Sequence, residues 1–348
     1  MTAWLLPFFV LLLVAPSQAA EPRAVSTTAT LSILAGTVQH VPVGSTQPKA
    51  AVSGMAVAAG DRVVTGLKST ALVTFLDGST LTVLPESDVT VKKADIGRTS
   101  SSVNIAISVG MVWARVVKLI DQKSSFTLES NTATATVHDG LIGAHHFDDG
   151  RFICWTRAGG LLVTDRHGRT VVLLPGEKLQ IKGTETLTPE TFAPSQSTVT
   201  VTTSPGVFPL VEMPDRARVV GFVSPGIDVN QVFGSLTKRL PDGRRQIEVP
   251  AGLIGPFLLV LEGRQDGPFS ATVTGAFKGT QVYRQEVSGE VRKAGRVSLQ
   301  VTQQLEPETS DDPKTAKVVG GKVSDAQPYT DPLPGVILLA PTELEGSH

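Results

Sequence analysis

The sequence predicts an all-β fold, and three observations carry the prediction. Runs of about five residues rich in Val, Leu, Thr and Phe recur roughly every 8–12 residues. Glycine or Asp-Gly closes most of them, as Gly60, Gly66 and Asp77-Gly78 do around the first clear set. The composition agrees: 33 Gly, 23 Pro and only 5% aromatic residues suit short strands and turns better than helices. Spacing alone leaves a sandwich, a barrel or a solenoid open.

At 348 residues the chain calls for two domains with linkers. Its formal net charge of −1 offers no basic surplus for phosphate backbones, which argues against nucleic acid as a partner. Residues 1–20 read as a signal peptide. Leu5–Val14 is an apolar run too short for a comfortable span, and Ala19 and Ala20 offer small-residue cleavage positions. No later stretch approaches the length of a membrane span, so the expectation is an exported, periplasmic or extracellular protein without a stable membrane span after signal cleavage.

Strands are then expected at Thr30–Leu34 and Thr37–Val41, with Gly36 between them, and at Arg62–Thr65, Ala71–Leu76 and Thr80–Leu84. Asp77-Gly78 is a hairpin signal, because both turn positions tolerate positive φ. Asp88–Lys92 and Val103–Ile107 follow, with a polar loop over Lys93–Ser102. In Met111–Val116, Val112, Ala114 and Val116 share one strand face, and Trp113 and Arg115 share the other. Apolarity on both faces predicts that both are at least partly covered. Phe126–Val137 holds a strand, a turn and a strand of alternating Ala and Thr. Arg151–Trp155, Gly160–Thr164 and Thr170–Leu174 continue the pattern, and His167-Gly168 forms a turn.

Several of these segments resemble the FecR domain, an extracytoplasmic all-β domain. Gly60–Val91 (GDRVVTGLKSTALVTFLDGSTLTVLPESDVTV) is similar to its opening, the Gly110–Val116 strand with Trp113 to its middle, and Leu174-Pro175-Gly176-Glu177 to its close. The resemblance spans residues 30–182 in order and implies a β-solenoid, β-helical stack. Where the family carries an Arg-Gly-Thr-like turn this chain has His138-Asp139-Gly140, a departure from the family pattern, and His138 and Asp139 join Trp113 and Trp155 as candidate binding residues.

Beyond residue 182 the character changes. Thr, Ser and Pro dominate 183–217, which reads as a linker with a strand at Thr198–Val201. Strand patterning returns over 218–303, at Arg218–Val223, Gln246–Val249, Phe257–Glu262, Phe269–Gly275, Gln281–Val287 and Arg296–Thr302. That pattern predicts a smaller antiparallel β-sandwich domain. The acidic, polar stretch opening 304–348 predicts a disordered tail, interrupted by the apolar run Gly335–Ala340.

Chemistry-bearing residues are sparse. His138 and Asp139, with His145, His146, Asp148 and Asp149, form the densest cluster, and imidazole with carboxylate is zinc chemistry. The spacing fits no ligand template, and on a strand His145 and His146 would face opposite ways. Cys154, the single cysteine, lies beside Trp155 in an apolar run and reads as a buried thiol. Asp77 reads as a turn residue, and Asp61, Glu86 and Asp88 as solvated strand ends. Trp113 and Trp155 suit either a core or a stacking platform for sugar rings. No nucleophile elbow, zinc-protease helix motif or phosphate loop is present in the sequence, so the expectation is a non-enzyme with no catalytic residues, no cofactor and no metal.

The expected function is an exported binding or scaffold module for a cell-envelope protein partner. One alternative is a glycan or cell-wall binder using Trp113 and Trp155. Another, implied by the FecR resemblance, is a membrane-anchored regulator of an extracytoplasmic-function sigma pathway.

Overall fold

The computed structural model describes residues 29–97, 99–118, 121–214, 218–223, 228–251, 256–306, 316–331 and 333. The expected signal segment at 1–20 and the apolar run Gly335–Ala340 lie outside them. Every regular element among the described residues is a strand, and no helix there is long and apolar enough to cross a membrane.

The first nine strands are β1 (Ala29–Ala35), β2 (Val38–Val41), β3 (Lys49–Ala50), β4 (Met55–Val57), β5 (Arg62–Thr65), β6 (Thr70–Phe75), β7 (Thr80–Val83), β8 (Asp88–Ile96) and β9 (Ser101–Val116). They are followed by β10 (Ser125–Glu129), β11 (Ala133–Val137), β12 (Gly140–His146), β13 (Phe152–Ala158), β14 (Leu161–Asp165), β15 (Thr170–Leu173), β16 (Glu177–Ile181) and β17 (Glu190–Thr191). These strands build two open sheets. Sheet A runs β4-β1-β6-β7-β9-β12-β13-β16-β17. Sheet B runs β3-β2-β5-β8-β9-β10-β11-β14-β15.

The long β9 belongs to both. Residues 101–109 pair in sheet B and residues 110–116 in sheet A. The crossing point is Gly110, at φ 100°, where a β-carbon would stand 2.4 Å from Ser87 Cα. Only glycine combines that backbone with that approach. Between the sheets lies one core, in which Val73, Phe75 and Leu81 meet Ile105, Phe126, Leu128 and Phe152.

The β-solenoid expectation is overturned by the pairing. A β-helix stacks successive coils as parallel neighbours, whereas among the described residues β9–β10 is the one parallel pair in the two sheets and the rest are antiparallel. The cause is local: tight hairpins can join only antiparallel strands. In the β6–β7 turn, Gly78 N–H donates to Phe75 O at 2.9 Å, Phe75 N–H to Ser79 O at 2.9 Å, and Ser79 N–H to Asp77 Oδ1 at 2.8 Å. Positive φ occurs at Gly78 alone, so this is a three-residue loop with a glycine bulge rather than a two-residue turn.

The same unit occurs twice. Ala71–Val91 and Leu161–Ile181 share Leu-Val-Thr, then Gly, Thr and Leu-Pro at equal spacing. Leu72 pairs with Thr82 in the first, and Leu162 with Val172 in the second. The first hairpin lies in sheet A and the second in sheet B, so the two copies exchange layers.

In the first half of the chain, two segments differ from expectation. The predicted loop over Lys93–Ser102 is largely strand: β8 continues to Ile96 past a register shift between Val91 and Lys93, which leaves Lys92 and Lys93 exposed. The His-rich stretch, for which no strand was marked, contains β12 between β9 and β13.

The remaining strands are β18 (Ser197–Thr203), β19 (Val207–Glu212), β20 (Val219–Phe222), β21 (Asp228–Asn230), β22 (Leu236–Arg239), β23 (Arg245–Pro250), β24 (Phe257–Gly263), β25 (Gly267–Phe277), β26 (Thr280–Val291), β27 (Arg296–Glu306), β28 (Lys317–Val323) and β29 (Gln327–Pro328). Sheet C is β22-β23-β18-β25-β26. Sheet D is β21-β20-β19-β24-β27-β28, with β29 also on β27. Val199, Val201, Phe208, Leu259, Phe269 and Leu299 lie in the core they share. The stretch 183–217, read as a linker, supplies β18 and β19, each of which has a neighbour on both sides. Within 304–348, read as a tail, β28 pairs with β27.

Candidate functional site

The outward side of sheet A carries one register row: Leu72, Thr82, Trp113, Gly143, Trp155 and Lys178 stand opposite one another on β6, β7, β9, β12, β13 and β16. Gly143 sits between the two tryptophans. A β-carbon there would lie 2.5 Å from the Trp155 indole, so the glycine is what lets that ring lie across the strand.

Residues from the second half of the chain cover this row. Phe192 stacks on Trp155 with centroids 5.3 Å apart, and Phe233 meets Trp113 and Trp155 edge-on at 5.7 and 5.5 Å. Leu141 and Leu236 complete the cluster. Trp113 is 0% and Trp155 4% exposed, so neither offers a face to a sugar ring. The two-sided apolarity of the Trp113 strand reflects coverage on both sides, the inner by the core and the outer by this seam.

Two ion pairs tie the seam. Arg115 binds Asp228 through both carboxylate oxygens, Nη2–Oδ1 at 2.7 Å and Nε–Oδ2 at 3.2 Å, with both side chains 13% exposed. Asp228 also accepts from Thr237 Oγ1 at 2.6 Å and Asn230 Nδ2 at 3.2 Å. Burial opposes ionisation of Asp228, but hydrogen bonds and charge from Arg115 outweigh it and hold its carboxyl below the usual range. Arg157 pairs with Glu248 beside it.

The other sequence-derived residues are separated from this seam. His138 is exposed, its Nδ1 hydrogen-bonded to the Ser124 carbonyl, and Asp139 is half-buried at the start of β12. As expected for a strand, His145 and His146 diverge. His146 is buried with Nδ1 on Ser108 O at 2.8 Å, and His145 stacks on Phe147. Among the described residues no three His, Cys, Asp or Glu side chains stand together as a metal-ligand group. Cys154 is buried between Ala144 and Leu179 in sheet A, and burial pushes its thiol pKa far up.

Asp77 organises its turn. Asp61, read as a solvated strand end, is 5% exposed. It accepts from Ala58 N–H at 3.0 Å and Val43 N–H at 2.9 Å, and its Oδ2 lies 2.8 Å from His40 Nε2. Nothing in the local pattern signals that arrangement, because His40 comes from β2.

Sheet B presents a different outward side. A row of Asn104, Thr127, Thr136, Leu162 and Val172 crosses β9, β10, β11, β14 and β15. It ends in an apolar pair, Leu162 at 45% and Val172 at 54% exposed, with Leu174 at 60% just beyond. In the first copy of the repeated unit the corresponding Leu72 and Thr82 are both 1% exposed. Among the described residues β15 pairs only with β14, so its other edge carries free backbone groups. Sequence reasoning passed over these residues, although Leu161–Val163 and Val171–Leu174 show the same two-sided apolarity as the Trp113 strand.

No protein-family model matches the chain, and no curated protein matches it. The FecR resemblance therefore rests on the motifs quoted above. Two crystal structures of a candidate anti-sigma factor from Parabacteroides distasonis, at 2.50 and 1.65 Å resolution, are partly similar. Identity is 17% and 16%, the TM-score is 0.32 for each, and the match covers 37% of this chain. The chain spans 59% of the length of those chains, and the likeness lies below that of a shared overall fold.

Proposed function

We propose that this protein is an exported, non-enzymatic binding module of the cell envelope that holds a protein partner on the outward side of sheet B. The observation that carries the reading is the exposed cross-strand pair Leu162–Val172, with Leu174, beside the open edge of β15. An extended partner segment adding to β15 gains backbone hydrogen bonds from the edge and apolar contact from the pair. Sheet A has no equivalent opening at its Trp row, because the Trp113–Trp155 cluster is covered from within the chain.

The test places a photo-crosslinking residue at Val172 in cells and, as a control, at Leu67, which is 70% exposed outside the row. The expected result is one defined envelope protein captured from position 172, not from position 67, and lost on Leu162→Glu. Equal capture from both positions, or none from 172, overturns the reading.

The narrower reading, a regulator of an extracytoplasmic-function sigma pathway, draws on the FecR-like motif at Gly60–Val91. It requires residues 1–20 to remain as an anchor. An intact mass beginning near Ala20 or Glu21 removes that reading and supports export by cleavage.

A further inference from the structure

A group of cations in sheets C and D has no counterpart in the function proposed above. Arg239 and Arg245 stand directly opposite each other on the β22–β23 hairpin. Like charges at directly opposed positions destabilise a strand pair, so the hairpin bears a local cost there. Arg264, just after β24, joins them. Its guanidinium lies 4.5 Å from the centroid of Phe208, and that of Arg245 lies 4.1 Å from the same ring. Arg239 and Arg245 also lie over Phe222, at 5.3 and 5.7 Å. Phe208 and Phe222 are buried, so the rings that these guanidiniums contact are fixed in place.

The acids nearby are already committed. Asp228 makes its short contacts with Arg115, leaving Arg239 at 3.3 Å, and Glu262 bonds Arg296 at 2.9 Å, leaving Arg264 at 3.5 Å. Asp242 is held by Arg244 at 2.7 Å. Among the described residues Arg245 has no carboxylate partner: its Nη1 donates to the carbonyls of Val207 and Gly243 at 3.5 and 3.4 Å, and its Nε is buried without an acceptor. Burial, and then the charges of Arg239 and Arg264, draw its pKa below the usual guanidinium value. Arg239 and Arg264 remain 47% and 40% exposed, so the group is open to solvent.

We propose that Arg239, Arg245 and Arg264 form a binding site for a multivalent oxyanion of the phosphate or sulfate type. Guanidinium forks match tetrahedral oxyanions, and a doubly charged anion would offset the opposed charges of Arg239 and Arg245. A free anion and the phosphate of a lipid headgroup share this chemistry. The site lies away from β14 and β15, so its failure would leave the proposed protein-binding face untouched, and the reverse holds too.

The experiment titrates the full chain with inorganic phosphate and with sulfate at constant ionic strength set by chloride, following Tm and calorimetric heat. A parallel arm measures sedimentation with vesicles of phosphatidylcholine alone or with added phosphatidic acid. Wild type is compared with Arg245→Gln and with Arg239→Gln/Arg264→Gln. The expected result is saturable binding in at least one arm, weakened about tenfold or more in each variant, as loss of a charge-assisted hydrogen bond implies. Response to free anions marks a soluble source, and response to phosphatidic acid vesicles alone marks a headgroup. Arg245→Gln removes an opposed charge but also the contacts of Arg245 with Phe208 and Phe222, so each variant is judged by its response to anion relative to its own anion-free Tm. A Tm rise with phosphate no greater than with chloride, together with no vesicle binding, overturns the proposal. So does equal binding by wild type and variants.

Discussion

The Trp155 indole lies across the backbone of Gly143, 2.5 Å from the point where any other residue would carry its β-carbon. The glycine has no left-handed φ, so its requirement is purely one of space. Gly143→Ala must push the indole off the strand and toward Phe192 and Phe233. The expected cost is about 1–3 kcal/mol, the range for overpacking a filled core. Urea unfolding measures it, and a change in the near-ultraviolet circular dichroism of the tryptophans shows that the ring has moved.

Gly110→Ala faces two obstacles at once, a φ of 100° and Ser87 Cα at 2.4 Å. Neither is the far end of a flexible side chain. The expected loss is at least ~2 kcal/mol. A denaturation midpoint equal to wild type would show that β9 does not cross between sheets as described.

Arg115→Ala leaves the Asp228 carboxylate, 13% exposed, with the longer contact to Arg239 at 3.3 Å as its remaining ion pair. Breaking one side of a buried pair costs about 3 kcal/mol, whereas replacing both sides with apolar groups costs far less. Arg115→Met/Asp228→Leu is therefore expected to lie closer to wild type than Arg115→Ala does, although Thr237 and Asn230 lose an acceptor in the double variant. A double-mutant cycle by chemical denaturation reads the difference.

The same pair sets a pH dependence. The folded pKa of Asp228 lies below its unfolded value, so its contribution is complete above the ordinary aspartate range and is lost as pH falls through the folded value. Asp228→Asn is expected to flatten the fall in stability below about pH 4. Parallel acid titrations of variant and wild type would argue against the pair.

Cys154 is fully buried, and its thiolate is disfavoured by that burial. Thiol reagents at neutral pH should leave the native protein unlabelled and should react once urea unfolds it, at a rate that follows unfolding. Rapid labelling without denaturant would place the thiol at an accessible surface.

The strands β1, β2, β5, β6, β7 and β10–β11 were readable because each puts apolar residues on a core and several stop at a turn signal, Gly36 after β1, Gly66 after β5 and Asp77-Gly78 after β6. β12 escaped because its Gly140–His146 sequence carries two histidines that read as chemistry, although His146 packs inward. β19 escaped because Pro205, Pro209 and Pro214 make the stretch look like a linker, yet Pro209 stands in register with Leu261. Two-sided apolarity pointed to coverage of Trp113, but what covers it and Trp155 was beyond local pattern, since Phe192 and Phe233 arrive from distant parts of the chain. So was the pairing of Arg115 with an aspartate 113 residues away. The solenoid expectation followed family likeness against a local signal. The Asp77-Gly78 hairpin already implied antiparallel neighbours.

A strand that is an inner member of both layers binds their fates together. Sheet B needs residues 101–109 in place beside β8, and sheet A needs residues 110–116 beside β7 and β12, yet they are one continuous stretch of backbone. Docking either half of β9 therefore holds the other half beside its own sheet. A force that peeled it from either side would unravel both.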